Sequence, residues 1–154
     1  NCAFSHCSLL TEITIPPNVT EIGDCALSDC SSLKQVNVSS FLMRIGTDAF
    51  NDCSSLIKFE IPSSITEIES GVFWCCKSLK QVSIPFSVTK IESYAFNRCE
   101  SLEQISIPSS VTYIGMSAFK NCSSLKQVHL PYSFKTTNKL NIGFNPEVEF
   151  IYDQ

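Results

Sequence analysis

Apolar and polar positions along this chain recur with a period of 23 residues: Cys7, Cys30, Cys53, Cys76, Cys99 and Cys122 stand at that interval and the rest keeps step. Self-similarity at such a period marks a repeat architecture. Three residues after each cysteine comes Leu10, Leu33, Leu56, Leu79, Leu102 or Leu125. Six after comes Ile13, Val36, Phe59, Val82, Ile105 or Val128, and eight after comes Ile15, Val38, Ile61, Ile84, Ile107 or Leu130. The last two columns flank a polar position, which is the period of a β-strand. Pro16, Pro62, Pro85, Pro108 and Pro131 follow in five of the six coils, and proline cannot donate to a sheet ladder, so it ends each strand. Each coil is therefore predicted to hold one short strand.

A second apolar group follows at Val19, Leu42, Ile65, Val88 and Val111, then at Ile22, Ile45, Ile68, Ile91 and Ile114, and coils close on pairs such as Ala49-Phe50 and Ala95-Phe96. These spacings of three and four suit a tight helical turn or an irregular arc that returns to the next strand. One coil has no second layer to bury its apolar side against, so neighbouring coils must supply it. The chain divides into a partial coil 1–6, coils 7–29, 30–52, 53–75, 76–98 and 99–121, a degenerate coil 122–144 and a C-terminal capping strand within 145–154. Because Cys2-Ala3-Phe4 matches Cys25-Ala26-Leu27, the first residues read as the last third of a coil, with an upstream coil expected before them. The stack should be roughly 30 Å long at one strand spacing per coil.

A unit written Cys-x-x-Leu-x-x-Val-x-Ile-Pro-x-x-Val-Thr-x-Ile-Gly-x-x-Ala-Phe-x-x resembles the Treponema pallidum-type leucine-rich repeat of BspA-like surface proteins, over about residues 2 to 144. The resemblance implies a leucine-rich-repeat solenoid with parallel strands on a concave face, on proteins linked to adhesion to host matrix or to other cells, and hence an extracellular or cell-surface location. It supplies no catalytic motif. The departures are Ser39 to Arg44 where the pattern has Pro-x-x-Val-Thr-x, Glu69 and Glu92 in place of glycine, and the worn last coil, where Thr137 and Asn138 replace the Ile-Gly pair.

Composition narrows the function further. Net charge is -4, and basic residues such as Lys34, Lys80 and Lys90 are scattered singly, so no basic stripe forms to neutralise phosphates. Nucleic acid is not an expected partner. No apolar run approaches the roughly 18 residues that span a bilayer, so no membrane insertion is expected. Equivalent cysteines should stack about 4.7 to 4.9 Å apart with parallel side chains. A disulfide wants Cβ atoms about 3.8 Å apart and turned together, and a zinc site wants four ligands at one point. Free, buried thiols at a corner of each coil are the expectation, with Cys75 the exposed exception. The two histidines, His6 and His129, are about five coils apart and cannot serve each other. No glycine-rich phosphate loop exists, so an enzyme is not expected, and no cofactor or metal is implied. The triplets beginning at Asn18, Asn37 and Asn121 fit the glycosylation pattern, which is common by chance in a serine-rich chain.

Binding is the remaining class. The residues five and seven after each cysteine point away from the core, giving the columns Glu12, Gln35, Lys58, Gln81, Gln104, Gln127 and Thr14, Asn37, Glu60, Ser83, Ser106, His129. The candidate partner-binding residues are Asn37, Lys58, Glu60, Gln81, Gln104 and His129, facing a protein or glycoprotein ligand. The four glutamines of one column are equally suited to amide ladders that stabilise the stack. A rival surface is an aromatic edge of Phe41, Trp74, Phe86, Tyr113 and Tyr132, positions that other coils mostly give to small or polar residues. Two further expectations are a spacer role without a ligand, and self-association through the N-terminal coil.

Overall fold

The computed structural model describes residues 1–153 and shows a stack of short parallel strands, two per coil through most of its length. The first strand of each coil carries the period-two pattern: β1 Glu12–Thr14, β3 Gln35–Asn37, β5 Lys58–Glu60, β7 Gln81–Ser83, β9 Gln104–Ser106 and β11 Gln127–Pro131. In the five three-residue strands, the central apolar side chain turns inward between two outward ones, as Phe59 is buried between exposed Lys58 and Glu60. The returning arc, expected as a tight turn, holds a second strand of two residues: β2 Glu21–Ile22, β4 Arg44–Ile45, β6 Glu67–Ile68, β8 Lys90–Ile91 and β10 Tyr113–Ile114. Pairing is parallel and in 23-residue register, for example Glu12 with Gln35 and Tyr113 with Lys90.

A tight corner closes each coil. It needs two left-handed residues, one from the column Cys2, Cys25, Asp48, Gly71, Tyr94, Ser117 and one from His6, Asp29, Asp52, Cys75, Arg98, Asn121, with φ between 53° and 63°. Such backbone costs a non-glycine residue about 1–2 kcal/mol. It persists because the same amides donate to the next coil, as in Asp52 N–H to Trp74 O at 2.8 Å and Arg98 N–H to Lys120 O at 2.8 Å.

The core runs the length of the stack. Phe50, Phe73, Phe96, Phe119 and Phe144 form a ladder of near-parallel rings with centroids 4.9–5.7 Å apart. All nine cysteines are free. From Cys53 to Cys122, every thiol of the 23-residue column is buried and donates to the carbonyl 26 residues earlier: Cys53 to Leu27, Cys76 to Phe50, Cys99 to Phe73 and Cys122 to Phe96, at 3.2–3.3 Å. The thiols thus fill the corner and also bond coil to coil. Cys7, in the first coil, is exposed, unlike its equivalents. Cys75 corrects the sequence reading: it is buried, because its left-handed corner turns the side chain against the neighbouring coil.

Where glycine occupies the position after the second strand, coils approach closely. A Cβ on Gly115 would lie 2.4 Å from Ser93 N and 2.7 Å from Glu92 C, both backbone atoms that cannot swing aside. Gly115→Ala is therefore expected to cost about 1–3 kcal/mol as overpacking, read from the urea midpoint; an unchanged midpoint would refute the close approach.

The last coil departs from the others. After β11 come a 3-10 turn, Tyr132–Phe134, and a short helix α1, Lys139–Ile142, started by Asn138 Oδ1 accepting from Leu140 N–H at 3.0 Å. It is closed by Gly143 at φ 94°. Strand β12, Glu149–Asp153, then pairs with β11 along five residues. No helix is long and apolar enough to cross a membrane among the described residues.

Candidate functional site on the strand face

The three-residue strands present their polar columns to solvent, but the face they make is not uniform. Neither β3 with β5 nor β4 with β6 is hydrogen-bonded, so the seam between coils 30–52 and 53–75 is open along both strands. The corner behind stays stitched, with Asp48 N–H to Ser70 O at 3.0 Å and Phe50 N–H to Val72 O at 3.0 Å. The two coils are thus held at the back and bridged by side chains, Ser54 Oγ–H to Ser31 O at 3.3 Å and Ser64 Oγ–H to Leu42 O, but not paired strand to strand. A groove of about 360 Å³ results, walled by Gln35 and Asn37 on one side and by Lys58 and Glu60 on the other, with Val36, Val38, Phe59 and Ile61 beneath. A second interruption, between β7 and β9, leaves the companion strands β8 and β10 paired.

The seam falls where the sequence departs from its own repeat. Ser39 to Arg44 lacks the strand-ending proline and the Val-Thr pair, and Phe41 and Met43 are left exposed. Charge adds a direction. The second-strand column reads Glu21, Arg44, Glu67, Lys90, and Arg44 leans back to Glu21 at 2.5 Å and Asp24 at 2.8 Å while Lys90 pairs with Glu67 at 2.9 Å. Hydrogen bonds to Arg44, the first cause, hold the Asp24 carboxyl below its ordinary range against a smaller desolvation penalty. Across the seam Arg44 reaches Glu69 only at 3.8 Å. Exposed pairs are individually weak, yet all the short ones join coils within each half.

Of the sequence-derived candidates, Asn37, Lys58 and Glu60 meet at this groove, and Gln81 lines an adjoining hollow of about 380 Å³ with Lys58, Glu60 and Ser83. Lys58 and Glu60 form no salt bridge with any described residue, whereas Gln35 donates to Asn37 Oδ1 at 2.8 Å and Asn37 to Thr14 Oγ1 at 3.3 Å. Gln104 and His129 stand apart on β9 and β11, and His129 Nδ1 lies 3.7 Å from Asp153 Oδ1 on the capping strand. No described glutamine of the column donates to another: Gln35 bonds Asn37, and Gln127 donates to Glu149 at 3.0 Å. The aromatic edge divides. Phe41, Phe86 and Tyr132 follow the strands β3, β7 and β11, whereas Tyr113 lies on β10 and Trp74 sits in a corner, stacked on Tyr94 at 6.0 Å. The sequence reading missed the groove itself, although the irregular segment after Asn37 marked its place. At the other end, a hollow of about 700 Å³ lined by Phe4, Leu10, Ile13, Ile15, Val19, Ile22 and Leu27 is the surface to which self-association was assigned.

A stack of parallel strands with one inward leucine in each 23-residue coil is a leucine-rich-repeat solenoid. The chain belongs to the BspA-type leucine-rich-repeat family, whose sequence model matches in six copies over residues 1–103 and 89–143. Among solved structures, it is similar to the leucine-rich-repeat protein of Treponema pallidum (TM-score 0.75, 32% identity, 78% of this chain and 58% of that one). It is also similar to a leucine-rich cell-surface protein of Faecalibacterium prausnitzii A2-165 (TM-score 0.74, 42% identity, 77% of this chain and 31% of that one). A leucine-rich-repeat protein of Bacteroides ovatus, at 22% identity and TM-score 0.55 over 100% of this chain and 57% of that one, shares the fold. The chain thus spans about three-fifths of the first of these proteins and about a third of the second. No curated protein matches it.

Proposed function

We propose that this chain is a recognition module that binds a protein or glycoprotein partner through its strand face, at the cell surface or outside the cell, in an adhesive role. The observation that carries the reading is the open seam. It is the place where the regular stack gives way to a groove with an apolar floor, and where one cation and one carboxylate, Lys58 and Glu60, stand without ion-pair partners among the described residues. An anchor side chain of a partner can enter such a hollow while the two charges set its orientation, the arrangement of an apolar centre with a polar rim. The Faecalibacterium relative, described as a cell-surface protein, supports the location, and repeat solenoids in general offer extended binding surfaces.

The test is a binding screen of the chain against extracellular-matrix proteins and cell surfaces, with Lys58→Ala/Glu60→Ala as the comparison. Saturable binding should weaken at least tenfold in the double variant, about 1.4 kcal/mol. Binding untouched by the variant would remove the groove from the interface. Absence of binding would favour a spacer role, in which the apolar hollow at the first coil joins the module to a neighbour.

A further inference from the structure

The first strand of each coil is followed by the same tight turn. The amide of Leu42 donates to Ser39 O at 3.2 Å, Ile65 to Pro62 O at 3.0 Å, Val88 to Pro85 O at 3.1 Å and Val111 to Pro108 O at 3.0 Å, so the two residues between stand at the tip. What stands there alternates. The tips of successive coils read Ser40-Phe41, Ser63-Ser64, Phe86-Ser87, Ser109-Ser110 and Tyr132-Ser133, an aromatic in every second coil with a serine pair between. Phe41, one residue further round its tip than the other two, is 65% exposed, Phe86 74% and Tyr132 56%. Packing does not call for these rings, because the intervening coils close the same turn on two serines.

Spacing gives this row a chemical meaning. Two coils advance roughly 9.5 Å along the stack at one strand spacing each. The turns keep step across both interruptions of the strand ladder, since Ser64 Oγ–H donates to Leu42 O and Ser110 Oγ–H to Val88 O, the latter at 2.7 Å. A polymer with a matching repeat is an extended β-1,4-linked chain of pyranose sugars. Each sugar is turned over relative to the last, so every second one shows the same face, about two strand spacings on. That face is a patch of C–H bonds, which settles on the negative face of an aromatic ring. We infer that Phe41, Phe86 and Tyr132 form a second binding site, which takes a neutral β-1,4-linked polysaccharide lying along the stack, with alternate sugars on the rings and those between on Ser63 and Ser109. Both serines are exposed, and no residue of these tips carries a charge. Lys135 Nζ stands 5.0 Å from the Tyr132 ring centre, so that ring offers its other face. A protein partner fits less well, because hot spots for proteins cluster in one centre, and here serine pairs hold the rings apart.

The test is calorimetric titration of the whole chain with cellohexaose and with its N-acetylated counterpart, chitohexaose, each long enough to reach all three rings. Maltohexaose, linked α-1,4 and curved, is the control for shape. Saturable binding of at least one β-linked hexamer is expected, at least tenfold tighter than that of maltohexaose or of the corresponding β-linked disaccharide, which reaches a single ring. Phe86→Ser should weaken it at least tenfold with an unchanged urea midpoint, since Ser63 and Ser109 hold that place in the adjoining coils. Moving the ring one coil on, as Phe86→Ser/Ser109→Phe, keeps three aromatics but breaks their spacing, and should bind as weakly as Phe86→Ser alone. The Lys58→Ala/Glu60→Ala variant should bind the hexamer as the parent does, which separates this row from the groove on the strand face. Binding of neither β-linked hexamer, equal binding of maltohexaose, or full binding by the shifted variant would overturn the proposal. So would a matrix protein whose binding needs Phe86 and which neither hexamer displaces.

Discussion

Raising the pH from 9 to 12 is expected to unfold the solenoid by titrating its column of thiols. Burial, the first cause, together with smaller effects of neighbouring groups, pushes Cys53 and Cys122 up to about 12 from an ordinary 9.0, and Cys76 and Cys99, wholly enclosed, stand well above it too. A raised folded-state value means that the folded chain holds its proton where the unfolded chain has released it. The stabilisation is therefore complete below pH 9 and is lost progressively as the pH climbs toward 12. Holding the proton from an ordinary 9.0 up to about 12 is worth about 4 kcal/mol for each of Cys53 and Cys122, at about 1.4 kcal/mol for each tenfold change in proton affinity. Two such losses exceed half of the 5–15 kcal/mol that typically holds a domain together. Urea midpoints by circular dichroism at pH 8, 9, 10 and 11 should fall steeply over the last two steps. Lysines and tyrosines also titrate there, so Cys53→Ala/Cys122→Ala is the control: its midpoint should start lower and fall less steeply. Parallel slopes for parent and control would show that the thiols do not carry the effect.

Phe96→Ala should be the most damaging single truncation, at about 3–5 kcal/mol. The ring is fully buried and stacks between Phe73 at 5.4 Å and Phe119 at 5.2 Å, so its removal opens a hole that both neighbouring coils line. In a solenoid each coil contacts only its neighbours, and stability is close to a sum over interfaces. A void at one rung should thus uncouple the coils beyond Cys99 from those before Cys76. The variant should unfold in two steps in urea, or in one much broader step, where the parent shows one. Trp74→Ala offers a contrast, since Trp74 is 39% exposed and only leans on Tyr94, and should cost far less. Similar losses for the two would mean that the ring ladder does not transmit cooperativity.

Much of this architecture was legible as pattern. Period-two alternation around Val36 or Phe59 dictates a strand whichever coil holds it, and the proline after it dictates where that strand ends. The stacking of equivalent cysteines at one strand spacing was enough to argue for free thiols. The exposure of Lys58, Glu60 and Gln81 followed from their places beside inward residues. Cys75 was misplaced for a physical reason. Adjacent residues in a strand face opposite ways, but Cys75 takes a left-handed backbone at a corner, φ 60°, where that alternation does not apply. The second strand of each coil was hidden too, since two residues are too short to show a period.

What the sequence by itself determined, then, is the identity of one coil: its inward leucine and phenylalanine, its strand, its turn and its 23-residue length, all set by positions that recur through most coils. What only the tertiary structure decided is how faithfully successive coils meet. The groove between β3 and β5 is a failure of neighbouring coils to pair. Pairing depends on small displacements between whole coils, summed over ion pairs, glycine contacts and ring stacking, and none of these belongs to a single residue position. The regular positions therefore specify the fold, and the candidate groove arises where the packing of irregular positions leaves the stack open.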